Sequence, residues 1–243
     1  NKETDFDYST GEYSGIDKYL LENVNIPDGC KRAFEIGDFN EFDSWFFRTD
    51  HHFCYAGAYK AYKDVLDMLL PEEIPVKPTG IVRIGEFAGL KAKDMGGEAS
   101  YRENFNAYTF DFPELKFTIN GAAAGNYGNQ EGYIARAAEN DGTCTGLSYG
   151  NYYGGDNGEI IIDNPNCDNG SILIFGESYD NAILKLLASH FSRIYSIDLR
   201  NYKAQNNKSF KLDNYIKEHN IDRILLIGNV DYYVQSTFCL INY

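Results

Sequence analysis

With 243 residues the chain is long enough to bury a substantial core, and its pattern reads as one domain. Lys+Arg 22 against Asp+Glu 36 leaves a formal net charge of −14 with no compensating basic stripe, which argues against nucleic acid and anionic membrane surfaces as partners. Aromatics reach 15%, with Tyr 20 and Phe 16 but one Trp, so most pack in the core and some Tyr are available to line a groove or stack on sugar rings.

Residues 1–40 are polar and read as a lead-in segment. One helix-like stretch, IDKYLLENV, could place Ile16, Leu20, Leu21 and Val24 on a shared face. Next, FDSWFF reads as an aromatic strand, DHH as a charged junction, and the following residues as a helix carrying Ala58, Tyr62, Val65, Leu66 and Leu69 before Pro71 stops it. From 71 to about 141 the pattern is mixed, with β-like pieces (GIVRI, YTFDF, LKFTI) between Gly/Ala-rich turns and no assignable architecture. The final third alternates clearly: SILIF, SYDNAILKLLASHF, RIYSIDL, SFKLDNYIKEHN and RILLIGN give β-α-β-α-β. Such alternation implies parallel strands with helices over the faces and chemistry outside their carboxyl ends. Ser178, Asp198, Arg200 and Asn229 then share one rim.

Five cysteines (Cys30, Cys54, Cys144, Cys167, Cys239) form no CxxC pair and no zinc spacing; they read as small buried hydrophobes, with Cys144–Cys167 the pair a bridge would join. No apolar run approaches the length of a membrane span. The chain opens without Met, as it would after loss of an export signal or membrane anchor, or in any cloned fragment.

Ser178, where a buried strand turns toward a helix, suits either a nucleophile beside the backbone N–H groups of the next turn or a simple N-cap, and the cap is the commoner use of such a residue. A nucleophilic serine needs a base held by a third group. Of four histidines, His190 and His219 fall near helix ends and read as solvated or dipole-complementing residues. Asp50 and His52, two residues apart, suit an orienter and a base. Asp50, His51 and His52 would also suit a structural cluster or a metal.

The stretch TDHHFCYAGAYKAY resembles the signature of the bacterial DHHW family, and SILIFGESYDNAILKLLASHF resembles that family's strand–turn–helix block. Between them YYGGDNGEIIIDN, and after them IYSIDLRNY and LDNYIKEHNIDRILLIGN, follow the family's order over roughly residues 41–234. That family is similar to the SGNH-hydrolase-like proteins of alginate and other exopolysaccharide acetylation systems. The resemblance implies a three-layer α/β/α fold with a mainly parallel sheet over residues 41–243, interrupted by an insertion at about 71–141. It implies Asp50 as orienter, His52 as general base and Ser178 as nucleophile, in serine-dependent O-acetyl transfer to, or ester hydrolysis on, a cell-surface or extracellular polysaccharide. Tyr179 would lend its backbone N–H to an oxyanion hole; Arg200, Asn229 and Gly155 are further candidates for oxyanion or substrate contacts.

No cofactor and no metal are implied. A membrane protein that donates acyl groups is the partner to expect, with this chain outside the cell and anchored through a segment beyond these residues. Two positions depart from the family pattern: Phe53 stands where it has Trp, losing an indole N–H, and Glu177 where it has Asp, placing a longer carboxylate at the turn. A non-catalytic glycan-binding module on a degenerate version of the fold is the alternative.

Overall fold

The computed structural model describes residues 6–7, 12–13, 16–23, 25–97 and 100–229. The chain starts with a short antiparallel pair, β1 (Phe6–Asp7) and β2 (Glu12–Tyr13), and then α1 (Ile16–Asn23), which is the helix expected around IDKYLLENV. Val24 and the side chains of Ile16 and Leu20 lie outside the described residues.

The run FDSWFF is not a strand. Its first four residues lie in α2 (Phe39–Trp45), because Asp38 accepts a hydrogen bond from the Glu41 N–H at 2.9 Å while Glu41 reaches back to the Gly37 N–H at 2.7 Å. Two reciprocal caps outweigh the β preference of the aromatics, which is itself a packing preference. Only Phe46 pairs as a strand residue would, in an isolated antiparallel bridge to Phe53 that closes the DHH segment into a tight loop. Then α3 (Tyr55–Leu69) buries Ala58, Ala61, Tyr62, Val65 and Leu66 along one face. Gly57 allows it to cross the end of α2 closely, since a Cβ there would meet the Trp45 carbonyl at 2.0 Å.

The segment from 71 to 141 does have an architecture. It contributes β3 (Gly80–Phe87), α4 (Leu90–Asp94), β4 (Glu103–Thr109), β5 (Lys116–Ile119), β6 (Ala122–Ala124) and α5 (Gln130–Glu139). β3 and β4 form a separate antiparallel pair, whose Phe87 and Phe105 grip Phe47 with ring centroids 4.7 and 5.1 Å away and so hold the start of the DHH loop. β5 and β6 are joined by Asn120–Gly121 with φ of 49° and 78°. An Asn-Gly pair with both φ positive matches strand twist and is a strong local hairpin signal.

The remaining elements are α6 (Tyr149–Tyr153), β7 (Glu159–Asp163), β8 (Ser171–Phe175), α7 (Leu184–Ala188), β9 (Arg193–Ile197), α8 (Leu199–Asn206), α9 (Leu212–His219) and β10 (Arg223–Leu226). The main sheet runs β10-β8-β9-β7-β5-β6. It is mixed and not mainly parallel: β10, β8 and β9 are parallel, whereas β9–β7, β7–β5 and β5–β6 are antiparallel. The βαβ alternation governs only the last third of the chain, and the strands before it add by hairpin and reversal.

Helices cover both faces of this sheet. Ile172, Ile174 and Ile194 point into the larger core with α3 and α7, while Leu173, Phe175, Tyr195 and Ile197 meet Tyr202 of α8 and Tyr215 of α9. Strand β8, buried on both sides, is therefore an almost uninterrupted apolar run. Among the described residues no helix is long and apolar enough to cross a membrane, and Cys30, Cys54, Cys144 and Cys167 are free thiols, so no Cys144–Cys167 bridge forms. Cys239 lies outside the described residues.

Candidate active site

Asp50 and His52 lie in the loop between α2 and α3, both buried. Asp50 Oδ1 is 2.5 Å from His52 Nδ1 and accepts the His52 backbone N–H at 3.1 Å, while Oδ2 accepts the Leu90 N–H at the start of α4 at 2.8 Å. Burial alone would raise this carboxyl. The hydrogen bond and charge of His52, with the two backbone amides, instead hold it well below the usual carboxylate range. An ionised Asp50 accepts from Nδ1–H, which leaves the lone pair on Nε2. That nitrogen is buried and has no hydrogen-bond partner among the described residues. An orphaned imidazole nitrogen is costly in a core unless a ligand or water meets it.

The imidazole is held flat on Tyr149, with ring centroids 3.9 Å apart and planes within 8°. Tyr149 was not foreseen: it lies in the tyrosine-rich start of α6, and no spacing in the sequence links it to position 52. Asp50, His51 and His52 also offer one ligand atom each within 4.8 Å of one another, a donor set suited to a metal, although the first and last already bond each other.

Ser178 leaves the carboxyl end of β8, half-buried, on a run of turns. It does not cap α7, whose N-cap position is Ile183. The residues between are folded by local bonds, Asp180 N–H to the Glu177 carbonyl at 2.9 Å and Leu184 N–H to the Asp180 carbonyl at 3.1 Å. The next side chain, Tyr179, donates its hydroxyl to the His51 carbonyl at 2.6 Å, and its ring lies 5.4 Å from that of His52 and 5.2 Å from that of Phe53. The serine turn and the DHH loop therefore meet through Tyr179. Ser178 and His52 are not hydrogen-bonded to each other. Phe53, in the place of the family's Trp, keeps the apolar packing against Tyr179.

The other rim residues gather in an ion cluster behind the turn. Arg200, in the first turn of α8, donates to Asp198 from Nε at 3.0 Å and from Nη2 at 2.7 Å, and to Asp156 at 2.8 Å, with Glu177 Oε2 at 3.7 Å from Nη1. Burial opposes its charge, but these carboxylates overcome it and keep the guanidinium firmly protonated. Glu177 accepts the Asn229 N–H at 3.0 Å; its carboxyl is pushed up, chiefly by burial. The Tyr127 hydroxyl donates to Asn181 Oδ1 on the serine turn and lies 3.2 Å from the Gly155 carbonyl oxygen.

Asp180 and Asn181 escaped the sequence reading. Asp180 is buried, accepts from Ser196 Oγ at 2.9 Å, and has its carboxyl pushed far up, first by burial and then by Asp156, Asp198 and Glu177. Gly176 makes room for it, since a Cβ there would lie 2.0 Å from Asp180 Oδ2. A carboxyl raised in the fold costs stability as pH climbs above its unfolded value of ~3.9. Asp180→Asn, which cannot ionise, is therefore expected to lose less melting temperature than the wild type between pH 5 and pH 8. A steeper loss in the variant would contradict that assignment.

His190, expected to be a solvated or dipole-complementing residue near a helix end, does follow the end of α7 but is buried: its Nε2 is 2.6 Å from the Tyr62 hydroxyl and its Nδ1 3.3 Å from Glu73. His219 ends α9 with its ring 4.7 Å from that of Tyr195 and 4.3 Å from that of Tyr215. Neither stands with Asp50.

Fold and site together define a mixed α/β protein with a buried carboxylate–imidazole pair beside the carboxyl end of a parallel strand. The family described as "DHHW protein" matches residues 18–197, and the chain belongs to that family. Among solved structures, a DHHW family protein from Eubacterium siraeum DSM 15702 is 20% identical with a TM-score of 0.66, covering 97% of this chain and 77% of the other. Bacillus cereus PatB1 is 19% identical with a TM-score of 0.64, covering 95% and 79%. The same protein with a sulfonyl adduct is 20% identical with a TM-score of 0.62, covering 93% and 69%. At these identities the likeness is one of fold. A search of curated proteins gave no significant match.

Proposed function

We propose that this protein is a serine-dependent O-acyltransferase or esterase of SGNH-hydrolase-like type, acting on a cell-surface or extracellular polysaccharide. The observation that carries the reading is the buried, unpartnered His52 Nε2, oriented by an ionised Asp50 and joined through Tyr179 to the turn that bears Ser178. In the first half-reaction His52 Nε2 takes the Ser178 hydroxyl proton as Oγ attacks the ester carbonyl carbon. The ester C–O bond breaks, the leaving alkoxide takes the proton from His52, and an acyl-serine remains. In the second half a sugar hydroxyl or water gives its proton to His52, attacks the same carbon and returns the serine.

Asp50 stays ionised throughout and stabilises the imidazolium. The Tyr179 backbone N–H is the proposed oxyanion donor, with Arg200, Asn229 and Gly155 as further candidates for oxyanion or substrate contacts. On this reading the protein works outside the cell, with a membrane protein supplying acyl groups.

PatB1 has been solved with a sulfonyl adduct, which makes a sulfonyl fluoride the natural probe. Intact-mass spectrometry should show one adduct on the wild type, at Ser178, and none on Ser178→Ala or His52→Ala. The absence of a bond between Ser178 and His52 favours a second reading, a glycan-binding module without catalysis. An unlabelled wild type with a normal melting transition would decide for that module.

A further inference from the structure

The Tyr149 hydroxyl, like His52 Nε2, is buried without a hydrogen-bond partner among the described residues, and the two atoms sit on rings in face contact, with centroids 3.9 Å apart and planes within 8°. Stacking keeps them from satisfying each other. The Nε2 lone pair lies in the imidazole plane and the phenol O–H close to its own ring plane, so in near-parallel rings neither points at the other. Each therefore needs a partner from outside the pair.

The hydroxyl lies against the serine turn as well as the imidazole. Burial first, and then the charges of Tyr153, Tyr127, Asp180 and Tyr179, hold the phenol well above its ordinary range, so it stays protonated and serves as a donor. Tyr179 and Asp180 directly follow Ser178, and Tyr127 donates to Asn181 of the same turn. The ring itself is held in place, since Tyr149 opens α6 behind the Ser148 cap and packs 4.9 Å from Tyr153. A dry, unbonded hydroxyl costs the fold stability, and Phe would fill the same ring position without that cost. Such departures from good packing concentrate at functional sites.

We infer that Tyr149 is a catalytic residue whose hydroxyl donates a hydrogen bond to the ester carbonyl oxygen as that oxygen becomes negative. The inference rests on the acyl-transfer reading. The carbonyl π pair moves onto this oxygen when Ser178 Oγ, and later water or a sugar hydroxyl, adds to the carbon, and it returns when the C–O bond to the departing oxygen breaks. The phenol keeps its proton throughout and is a preorganised donor for the charge.

The test is Tyr149→Phe, which keeps the ring on His52 and removes only the hydroxyl, compared with wild type in p-nitrophenyl acetate hydrolysis, sulfonyl fluoride labelling and thermal melting. The variant's kcat should fall about 10²–10³ with KM within about threefold, because the donor acts on charge present only in the transition state. The acid limb of kcat/KM, set by His52, should stay in place, and the melting temperature should hold or rise because no bond within the fold is lost. Activity within about threefold of wild type would overturn the inference. So would a melting temperature lower by about 2–4 °C, the size of one lost hydrogen bond in a chain of this length. A loss of rate that comes from a shifted acid limb would make Tyr149 a support for the imidazole and likewise overturn the donor role. A wild type that neither hydrolyses the ester nor takes a sulfonyl group would remove the acyl-transfer reading and this role with it. An active, labelled wild type matched by Tyr149→Phe would remove this role alone.

Discussion

Ser178→Ala should lower the rate of p-nitrophenyl acetate hydrolysis by about 10⁴ to 10⁶ while leaving the melting temperature within a few degrees. The loss is large because the oxygen that carries the acyl group is gone, and water must attack the ester directly. Backbone donors at the turn would still polarise the carbonyl, and removing one such donor alone costs only about 10²–10³. The fold should tolerate the change because Ser178 is half-buried and does not cap α7. A variant that keeps more than a tenth of wild-type activity would end the serine mechanism.

Asp50→Asn should cost about 10⁴ in the same assay, for a reason that lies in the hydrogen bonds of the loop. The carboxylate accepts at both oxygens, from His52 at Oδ1 and from the Leu90 N–H at Oδ2. An amide has one acceptor. With its oxygen kept toward Leu90, its NH₂ faces His52, reverses the imidazole tautomer and puts the proton on Nε2, where the base is needed. With its oxygen toward His52, the Leu90 N–H meets another donor.

The same substitution should flatten the acid limb of stability. Asp50 is depressed in the fold, so its contribution is complete above the unfolded pKa of ~3.9 and is lost as pH falls from there toward the folded value. Urea unfolding at pH 6 and pH 3 measures this. The wild type should lose more stability between the two than Asp50→Asn, and an equal loss would show that the Asp50 carboxyl is not depressed in the fold.

Glu177 bears on both results. Glu177 is buried and engages Asn229 and Arg200 in the ion cluster, while Ser178 is left half-buried. Phe53 likewise preserves ring packing against Tyr179. Both departures from the family pattern thus have a structural place.

The local code was legible where it was self-sufficient. The alternation from SILIF to RILLIGN specifies the three strands, and β8, β9 and β10 are parallel as it requires, but the helix expected over residues 178–191 is confined to Leu184–Ala188 and α8 (Leu199–Asn206) is an additional helix. The Asp50–His52 pair was legible because two residues of spacing suffice to join them. Asn120–Gly121 was also legible in principle, as a hairpin signal that the Gly/Ala-rich surroundings obscured.

Tertiary structure decided the rest. Half the main sheet turned antiparallel because β5–β6 closes as a hairpin and β7 runs against both β5 and β9, whereas Phe42–Trp45 became helical through the local caps of Asp38 and Glu41. The placing of Tyr149 under His52, of His190 against Tyr62, and of Asp180 near Asp156 joins residues 97, 128 and 24 positions apart. Periodicity records which face of an element is apolar. It carries no address for what that face meets, because packing partners are selected by shape and burial across the whole core.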